Sequence, residues 1–160
     1  MTGPEPQTQE EMRNLVKQKC LNLLTISDRS EYQLRERLKR YGFPECHVEE
    51  ALSWVKSLHY LDDRRFAQNY ILGHMADKGM ARLRMELRKK GISDSDIEDA
   101  FEGLTYEEEE SALSFAEKLA RKNDLSDPAA YRKALQKMAR RGFSYGMCVE
   151  CLRQAADENG

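Results

Sequence analysis

The chain has 160 residues, of which 40% are hydrophobic and 34% charged, and its formal net charge is -2 at pH 7. Because it contains only 9 Gly and 4 Pro and is rich in helix-forming residues, we predict helices rather than a turn-rich β fold. The first 11 residues lack the apolar core of a signal peptide, and no apolar run approaches the roughly 20 residues that span a bilayer. We therefore expect a cytoplasmic protein whose four cysteines are thiols.

Periodicity and capping signals predict nine helices after residues 1–10, a Pro-, Gln- and Glu-rich segment that we expect to be a disordered tail. The predicted helices cover residues 11–26, 31–41, 45–58, 63–77, 80–90, 94–103, 106–122, 128–141 and 145–157. Residues 30–33 have the form of a capping box, and Asp127-Pro128 puts proline at the first position of the eighth helix. Thr105 is the predicted cap of the seventh helix.

Gly42, Gly91 and Gly142 mark an internal repeat, with spacings of 49 and 51 residues. Each glycine follows a basic helix-forming stretch and precedes one apolar residue. Apolar residues also recur four positions before each glycine, and six and ten positions after it. This spacing predicts two amphipathic helices packed through their apolar faces, with the glycine closing the first helix in the left-handed conformation.

A leading helix precedes each of these pairs, so the repeating unit is a three-helix module. The predicted modules are residues 11–58, 59–104 and 105–160. Repeated units of this kind stack mainly on their neighbours in the chain. The predicted fold class is therefore all-α, with three tandem three-helix modules stacked as a curved elongated array.

The second helix of each module is basic, with a net charge of +2 over residues 31–41, +4 over 82–90 and +5 over 131–141. Residues 93–110, in contrast, carry nine carboxylates and no Lys or Arg. Charge separated in this way lets a nearly neutral protein present basic stripes to a partner. We predict partner-binding roles for the cations of the second helices, which are Arg35, Arg37, Lys39, Arg40, Arg82, Arg84, Arg88, Lys89, Lys90, Arg132, Lys133, Lys137, Arg140 and Arg141. The alternative is a solvated helix face whose last cations suit the negative end of the helix dipole.

The other chemically suggestive residues have structural explanations. Asp62 and Asp63 are predicted to cap the fourth helix rather than to act as acid and base, and Phe66 is predicted to face the core. Cys148 and Cys151 form a CxxC pair, but they align with core positions of the other modules, and no second pair completes a zinc site.

The chain contains no phosphate-binding loop, dinucleotide-binding motif, metalloprotease motif or nucleophile elbow. We therefore predict no catalytic residue, no cofactor and no metal. The run Glu107 to Glu110 fits either the solvated start of a helix or a contact with a basic partner surface.

Three segments of the chain resemble the RecX family, bacterial regulators of the RecA recombinase. They are SEYQLRERLKRYGF at residues 30–43, HYLDDRRFAQNYI at 59–71 and GMARLRMELRKKGIS at 79–93. The most specific feature is Leu-Asp-Asp-Arg-Arg-Phe-Ala followed at this distance by Lys-Gly-Ile. The resemblance is strongest from Ser30 to Leu104.

This resemblance implies a non-enzymatic protein that binds the RecA–single-stranded-DNA filament. It further implies inhibition of the filament's ATPase, strand-exchange and coprotease activities in DNA repair, recombination and the SOS response. The residue pattern by itself indicates only a monomeric binder with separate basic and acidic surfaces. On this hypothesis, reversing the charge of Arg84, Arg88 and Lys89 together should weaken filament binding without unfolding the protein.

Two other functions remain open from the sequence. One is a direct nucleic-acid-binding protein of tandem helix-turn-helix-like modules, and the other is a helical adaptor for a different protein. The acidic third helices argue against the first, because a recognition helix that enters a DNA groove should not carry Asp94, Asp96 and Glu98. A direct DNA contact within the filament complex is compatible with the basic helices.

Overall fold

The structure is a computed structural model that describes residues 8–104 and 107–159. Within these residues it contains nine helices and no strand, which confirms the predicted all-α fold of tandem three-helix modules. The helices are α1 (Gln9–Ile26), α2 (Glu31–Arg40), α3 (Glu45–Ser57), α4 (Asp63–His74), α5 (Met80–Lys89), α6 (Asp94–Glu102), α7 (Glu108–Lys122), α8 (Pro128–Arg140) and α9 (Tyr145–Asn159).

Most helices differ from the prediction by one or two residues at one end, and α4 ends three residues early. Two of these differences have clear local reasons. Helix α1 starts two residues early because the Thr8 hydroxyl caps it, accepting the backbone N–H of Glu11 at 3.0 Å. Helix α4 ends at His74, and the carbonyl of the next residue, Met75, accepts a 2.5 Å hydrogen bond from the Ser111 hydroxyl of α7. Thr105 and residues 1–7 of the predicted tail lie outside the described residues.

The capping signals act as the sequence indicated. Ser30 and Gln33 form a reciprocal capping box at the start of α2, with both hydrogen bonds at 3.1 Å. Gly42, Gly91 and Gly142 follow the C-caps of α2, α5 and α8 with φ values of 82°, 83° and 90°. A residue with a Cβ is strained at such φ values, whereas glycine is not.

Each module has its own hydrophobic core, in which the first and third helices pack together and the second helix covers them. The apolar residues four and eight positions before each glycine are at most 2% exposed, and they are Leu34, Leu38, Leu83, Leu87, Ala134 and Met138. Full burial of one such leucine is worth about 1.5–3 kcal/mol, so these positions anchor the second helix. Cys148 and Cys151 lie in the third core, as predicted, and burial raises the pKa of both thiols.

The modules meet where their second helices touch end to end. At the junction of modules 1 and 2, the Ser30 hydroxyl at the start of α2 donates to the Lys90 carbonyl at the end of α5, at 2.5 Å. The next backbone N–H, that of Glu31, donates to the Asp63 carboxylate of α4 at 2.8 Å. The start of one second helix is therefore held by two different helices of the following module.

The junction of modules 2 and 3 repeats this arrangement. The Gly79 N–H at the start of α5 donates to the Arg141 carbonyl at the end of α8, at 2.7 Å. The Met80 N–H then donates to the Glu108 carboxylate of α7 at 2.9 Å. We call the end-to-end series α8, α5 and α2 the second-helix line.

Gly91 and Gly142 lie inside these junctions. A Cβ added at Gly91 would overlap the side chain of Tyr32, and one added at Gly142 would lie 2.5 Å from the backbone nitrogen of Arg82. Likewise, a Cβ at Gly79 would lie 2.5 Å from the carbonyl oxygen of Gly142. Glycine is therefore required both for the cap and for the close approach of neighbouring modules.

Candidate protein-interaction surface

Of the fourteen cations predicted to bind a partner, eleven fall into two groups in the structure. Five of them form ion pairs within the chain: Arg35 with Glu49, Arg82 with Glu86, Arg84 with Glu98, Arg88 with Asp94, and Arg141 with Asp77. Each of these five guanidinium groups already faces a carboxylate of the same chain. They are therefore weaker candidates for partner binding than the sequence suggested.

Two of these pairs are equivalent in the repeat. Arg35 and Arg84 both lie seven positions before the module glycine, and their partners Glu49 and Glu98 lie seven positions after it. The Arg35–Glu49 and Arg84–Glu98 contacts are 2.6 and 2.8 Å long and join the second helix to the third. The hydrogen bond that Arg35 donates lowers the pKa of Glu49, and the one that Arg84 donates lowers the pKa of Glu98.

Module 3 replaces this ion pair with apolar residues. Leu135 and Val149 occupy the corresponding positions, and both are partly buried. Helices α8 and α9 still pack against each other, with apolar residues at the two positions that carry the ion pair in modules 1 and 2. This alignment within the repeat is the sequence signal that identifies Arg35 and Arg84 as structural.

Arg82 belongs to a cluster around Glu86. The Glu86 carboxylate accepts hydrogen bonds from Lys78 at 3.0 Å, from Arg82 at 2.8 Å and from the Tyr70 hydroxyl. Because the Glu86 side chain is only 15% exposed, the cluster lies largely inside module 2. Lys90 stands beside it, 5.3 Å from the centroid of the Tyr70 ring.

The second group of cations is exposed and forms no ion pair with another described residue. Arg40, Lys89 and Arg140 occupy one repeated position, two residues before the module glycine. Three residues before Arg40 and Arg140, modules 1 and 3 carry a further cation, Arg37 and Lys137. Lys133 lies one helical turn before Lys137. Residues three and four apart share a helix face. We call this set, Arg37, Arg40, Lys89, Lys133, Lys137 and Arg140, the outer basic row.

The remaining predicted cations are less regularly placed. Lys39 is exposed beside Arg40, and Arg132 donates to the Pro128 carbonyl of its own helix at 3.4 Å. Neither position carries a cation in all three modules.

The predicted structural residues Asp62 and Asp63 have separate roles. Asp62 is the N-cap of α4 and accepts the Arg65 N–H at 3.1 Å. Asp63 is the first residue of the helix and accepts the Glu31 N–H from module 1. Burial raises the pKa of Asp63, the bond from Glu31 lowers it, and the charges of Glu31 and Asp96 raise it further. Phe66 is buried in the core of module 2.

The acidic residues at the start of α7 also have separate roles. Glu108 belongs to the junction of modules 2 and 3, as described above. Glu109 and Glu110 line a groove of about 500 Å³ between α7 and α9, together with Leu113, Met147 and Glu150.

Two further findings concern the described residues as a whole. None of their helices is both long and apolar enough to cross a membrane. In this part of the chain no three His, Cys, Asp or Glu side chains are grouped so that they could hold a metal ion.

The fold and the outer basic row define a class of protein, a tandem array of three-helix modules with charged helix faces repeated along it. Family models described as the first, second and third three-helix domains of RecX match residues 17–54, 62–100 and 107–152. The chain belongs to the RecX family of regulatory proteins.

Individual relatives agree with this assignment. The chain is 37% identical over 145 residues to the regulatory protein RecX of Streptomyces coelicolor, covering 88% of this chain and 77% of that protein. It is 34% identical over 155 residues to a regulatory protein RecX of Haemophilus influenzae, covering 92% and 99%. The crystal structure of RecX from Lactobacillus salivarius superposes with a TM-score of 0.79 at 25% identity, covering 91% of this chain and 97% of that one.

Proposed function

We propose that the chain binds the RecA–single-stranded-DNA filament in the cytoplasm and inhibits its ATPase, strand-exchange and coprotease activities. It would act by binding and not by catalysis. The observation that supports this proposal is the outer basic row, in which an exposed cation recurs at one equivalent position in all three modules. A surface that repeats along one chain is suited to a partner that repeats as well, and a filament of identical subunits is such a partner.

The repeat also accounts for affinity. Each module would contribute a modest contact, and binding of one module holds the next at a high effective concentration near its own subunit. Inhibition would follow if one filament state binds the array better than another, because a ligand shifts an equilibrium by its difference in affinity for the two states.

The first prediction concerns the outer basic row. We expect the triple variant Arg40→Glu, Lys89→Glu and Arg140→Glu to keep its fold, because these side chains are exposed and form no ion pair with a described residue. Filament affinity should fall at least about tenfold, because one charged contact per module is reversed. The measurement is RecA ATP hydrolysis on single-stranded DNA with increasing amounts of protein, together with co-sedimentation of the filament.

A matched control is Arg64→Glu, Lys118→Glu and Lys122→Glu, which changes the net charge equally at exposed sites on the leading helices. The control variant should inhibit RecA ATP hydrolysis as strongly as the unmodified protein does. An equal loss of filament affinity in both variants would assign the effect to overall charge and not to the outer basic row. The set Arg84, Arg88 and Lys89 is a poorer choice, because its reversal also breaks the pairs with Glu98 and Asp94.

Direct binding to nucleic acid is the second candidate, because the outer basic row also suits phosphate groups. A protein that neutralises several phosphates binds naked single-stranded DNA with an affinity that falls steeply as salt increases. Tight binding to naked DNA, lost in the triple variant, would favour this function over filament recognition.

A further inference from the structure

One end of the second-helix line is open. Gly42 in module 1 is equivalent to Gly91 and Gly142 and has the same left-handed backbone. At those two glycines an added Cβ would strike the preceding module. At Gly42, no heavy atom of the described residues other than its two chain neighbours lies within 4 Å of an added Cβ.

The carbonyl groups show the same contrast. Lys90 and Arg141, the residues before the two interior glycines, each accept a hydrogen bond from the start of another second helix. The equivalent carbonyl in module 1, that of Tyr41, accepts none from any described residue. The end of α2 therefore has the shape and the free acceptor of an interior junction without an occupant in the described chain.

The two interior junctions show what fits such an end. In both cases it is the N-terminal end of a helix whose capping residue, Ser30 or Gly79, supplies the donor. In both cases an aspartate lies two residues before the cap, namely Asp28 and Asp77. Asp77 reaches across its junction to Arg141 at 2.7 Å, so the acidic residue meets a cation at the end of the neighbouring helix.

Cations also surround the open end. Lys19 Nζ lies 4.4 Å from the centroid of the Tyr41 ring, and the Arg37 guanidinium carbon lies 5.7 Å from it. The two cations lower the pKa of the Tyr41 hydroxyl, against the opposing effect of burial, which is the largest single cause. Charge at this end is therefore complementary to an aspartate placed as Asp77 is at the junction of modules 2 and 3.

The second helices of another copy of the chain do not fit. The only second helix whose start is free among the described residues is α8, and its first residue is Pro128, which has no N–H to donate. The Asp127 cap has already given its own N–H to the Asp124 carbonyl, at 3.2 Å. Its carboxylate would face a carbonyl oxygen without a donor between them.

We propose that the C-terminal end of α2, formed by Tyr41 and Gly42 beside Lys19 and Arg37, is a docking site for the N-terminal end of a helix in a partner protein. The partner helix carries a serine or glycine cap with an aspartate two residues before it. In the complex, that helix extends the second-helix line beyond module 1.

The test uses a peptide with the sequence of residues 27–40, whose own N-terminal end fills the equivalent site on module 2. An isolated helix of this length is only marginally stable, so we expect a dissociation constant of about 1 mM, within reach of NMR titration. Added to the full-length ¹⁵N-labelled chain, the peptide should shift the amide signals of Tyr41, Gly42 and Phe43. The same peptide with Asp28→Ala and Ser30→Ala should shift them at least about fivefold less, because a hydrogen bond and an ion pair are removed.

A variant of the chain completes the test. Gly42→Asn tolerates the left-handed backbone and places a side chain where the partner helix must approach. It should fold normally and lose the peptide shifts, whereas Gly146→Asn, at another glycine with open space around it, should retain them. Peptide shifts elsewhere on the chain, or shifts that persist in Gly42→Asn, would overturn the proposal. The outcome does not depend on RecA, so a failure of filament binding would refute the proposed function separately.

Discussion

At the scale of single residues, Glu86 offers a direct test of electrostatic stabilisation. Burial acts to raise its pKa, but hydrogen bonds from Tyr70, Lys78 and Arg82 outweigh burial and lower it to about 2. Because this value lies below the ordinary 4.5, the ionised carboxylate stabilises the folded state above about pH 4.5. That contribution is lost as the pH falls from about 4.5 toward 2.

We therefore expect Glu86→Gln to lower the free energy of unfolding near neutral pH by about 1–2 kcal/mol, because the charged acceptor of three donors is removed. The variant should also lose less stability than the unmodified protein when the pH falls below about 4.5. Urea denaturation at a series of pH values measures both effects. The exposed Glu102 of α6 provides the control, since Glu102→Gln should not lower the free energy of unfolding near neutral pH.

Asp62 and Asp63 show which residue roles local sequence rules can predict and which they cannot. Asp62 and Asp63 are adjacent and were both predicted as caps of α4, yet only Asp62 caps the helix. The acceptor role of Asp63 depends on Glu31, which lies 32 positions earlier in the chain, and local capping rules do not reach that far. The equivalent Glu108 in module 3 makes the role recognisable once the two junctions are aligned.

At the scale of helices and their ends, a substitution at Gly79 tests the contact between modules 2 and 3 separately from the left-handed glycine caps. Gly79 has an ordinary φ of -79°, so alanine is not strained there by its backbone, but its Cβ would meet the backbone of Gly142. We expect Gly79→Ala to lower the free energy of unfolding by about 1–3 kcal/mol, the usual cost of overpacking. Thermal unfolding followed by circular dichroism measures this loss.

Gly73 is the matched position for that experiment. It lies within α4 with open space around it, so Gly73→Ala should stabilise the protein by about 0.5–1 kcal/mol through helix propensity. If both alanine variants changed the free energy of unfolding in the same direction, the contact with Gly142 would not explain why glycine is needed at position 79.

Helix positions were largely predictable because each element carries its own signals. The Ser30 capping box, Pro128 at the start of α8 and the left-handed glycines are all local. The end of α4 was predicted three residues too late, since the chain leaves that helix where the Met75 carbonyl meets Ser111 of another module. The pairing of Arg84 with Glu98 was missed for a similar reason, because net charge per helix does not reveal which side chains face each other.

At the scale of the whole molecule, the modules have separate cores and meet mainly at helix ends. In arrays of this kind stability is close to a sum of module and interface contributions, and parts can open separately. Leu38 is fully buried in the first core, and its truncation should cost about 2–5 kcal/mol.

We expect Leu38→Ala to increase amide hydrogen exchange in α1, α2 and α3 while α7, α8 and α9 keep their protection. Exchange measured by mass spectrometry on peptides from each module distinguishes the outcomes. Ala134→Gly, in the third core, is the reciprocal variant and should affect module 3 first. A uniform increase along the chain in either variant would mean that the array unfolds as one cooperative unit.

The end-to-end junctions also bear on how such a chain grows by gene duplication. Both junctions use the same few groups: a serine or glycine cap, a carbonyl before a glycine, and an acidic first residue in the next leading helix. A duplicated block of one repeat, 49 or 51 residues between glycines here, brings all of these groups with it. A new module can therefore join its neighbours without redesign of an existing core, and array length can change in evolution by whole modules.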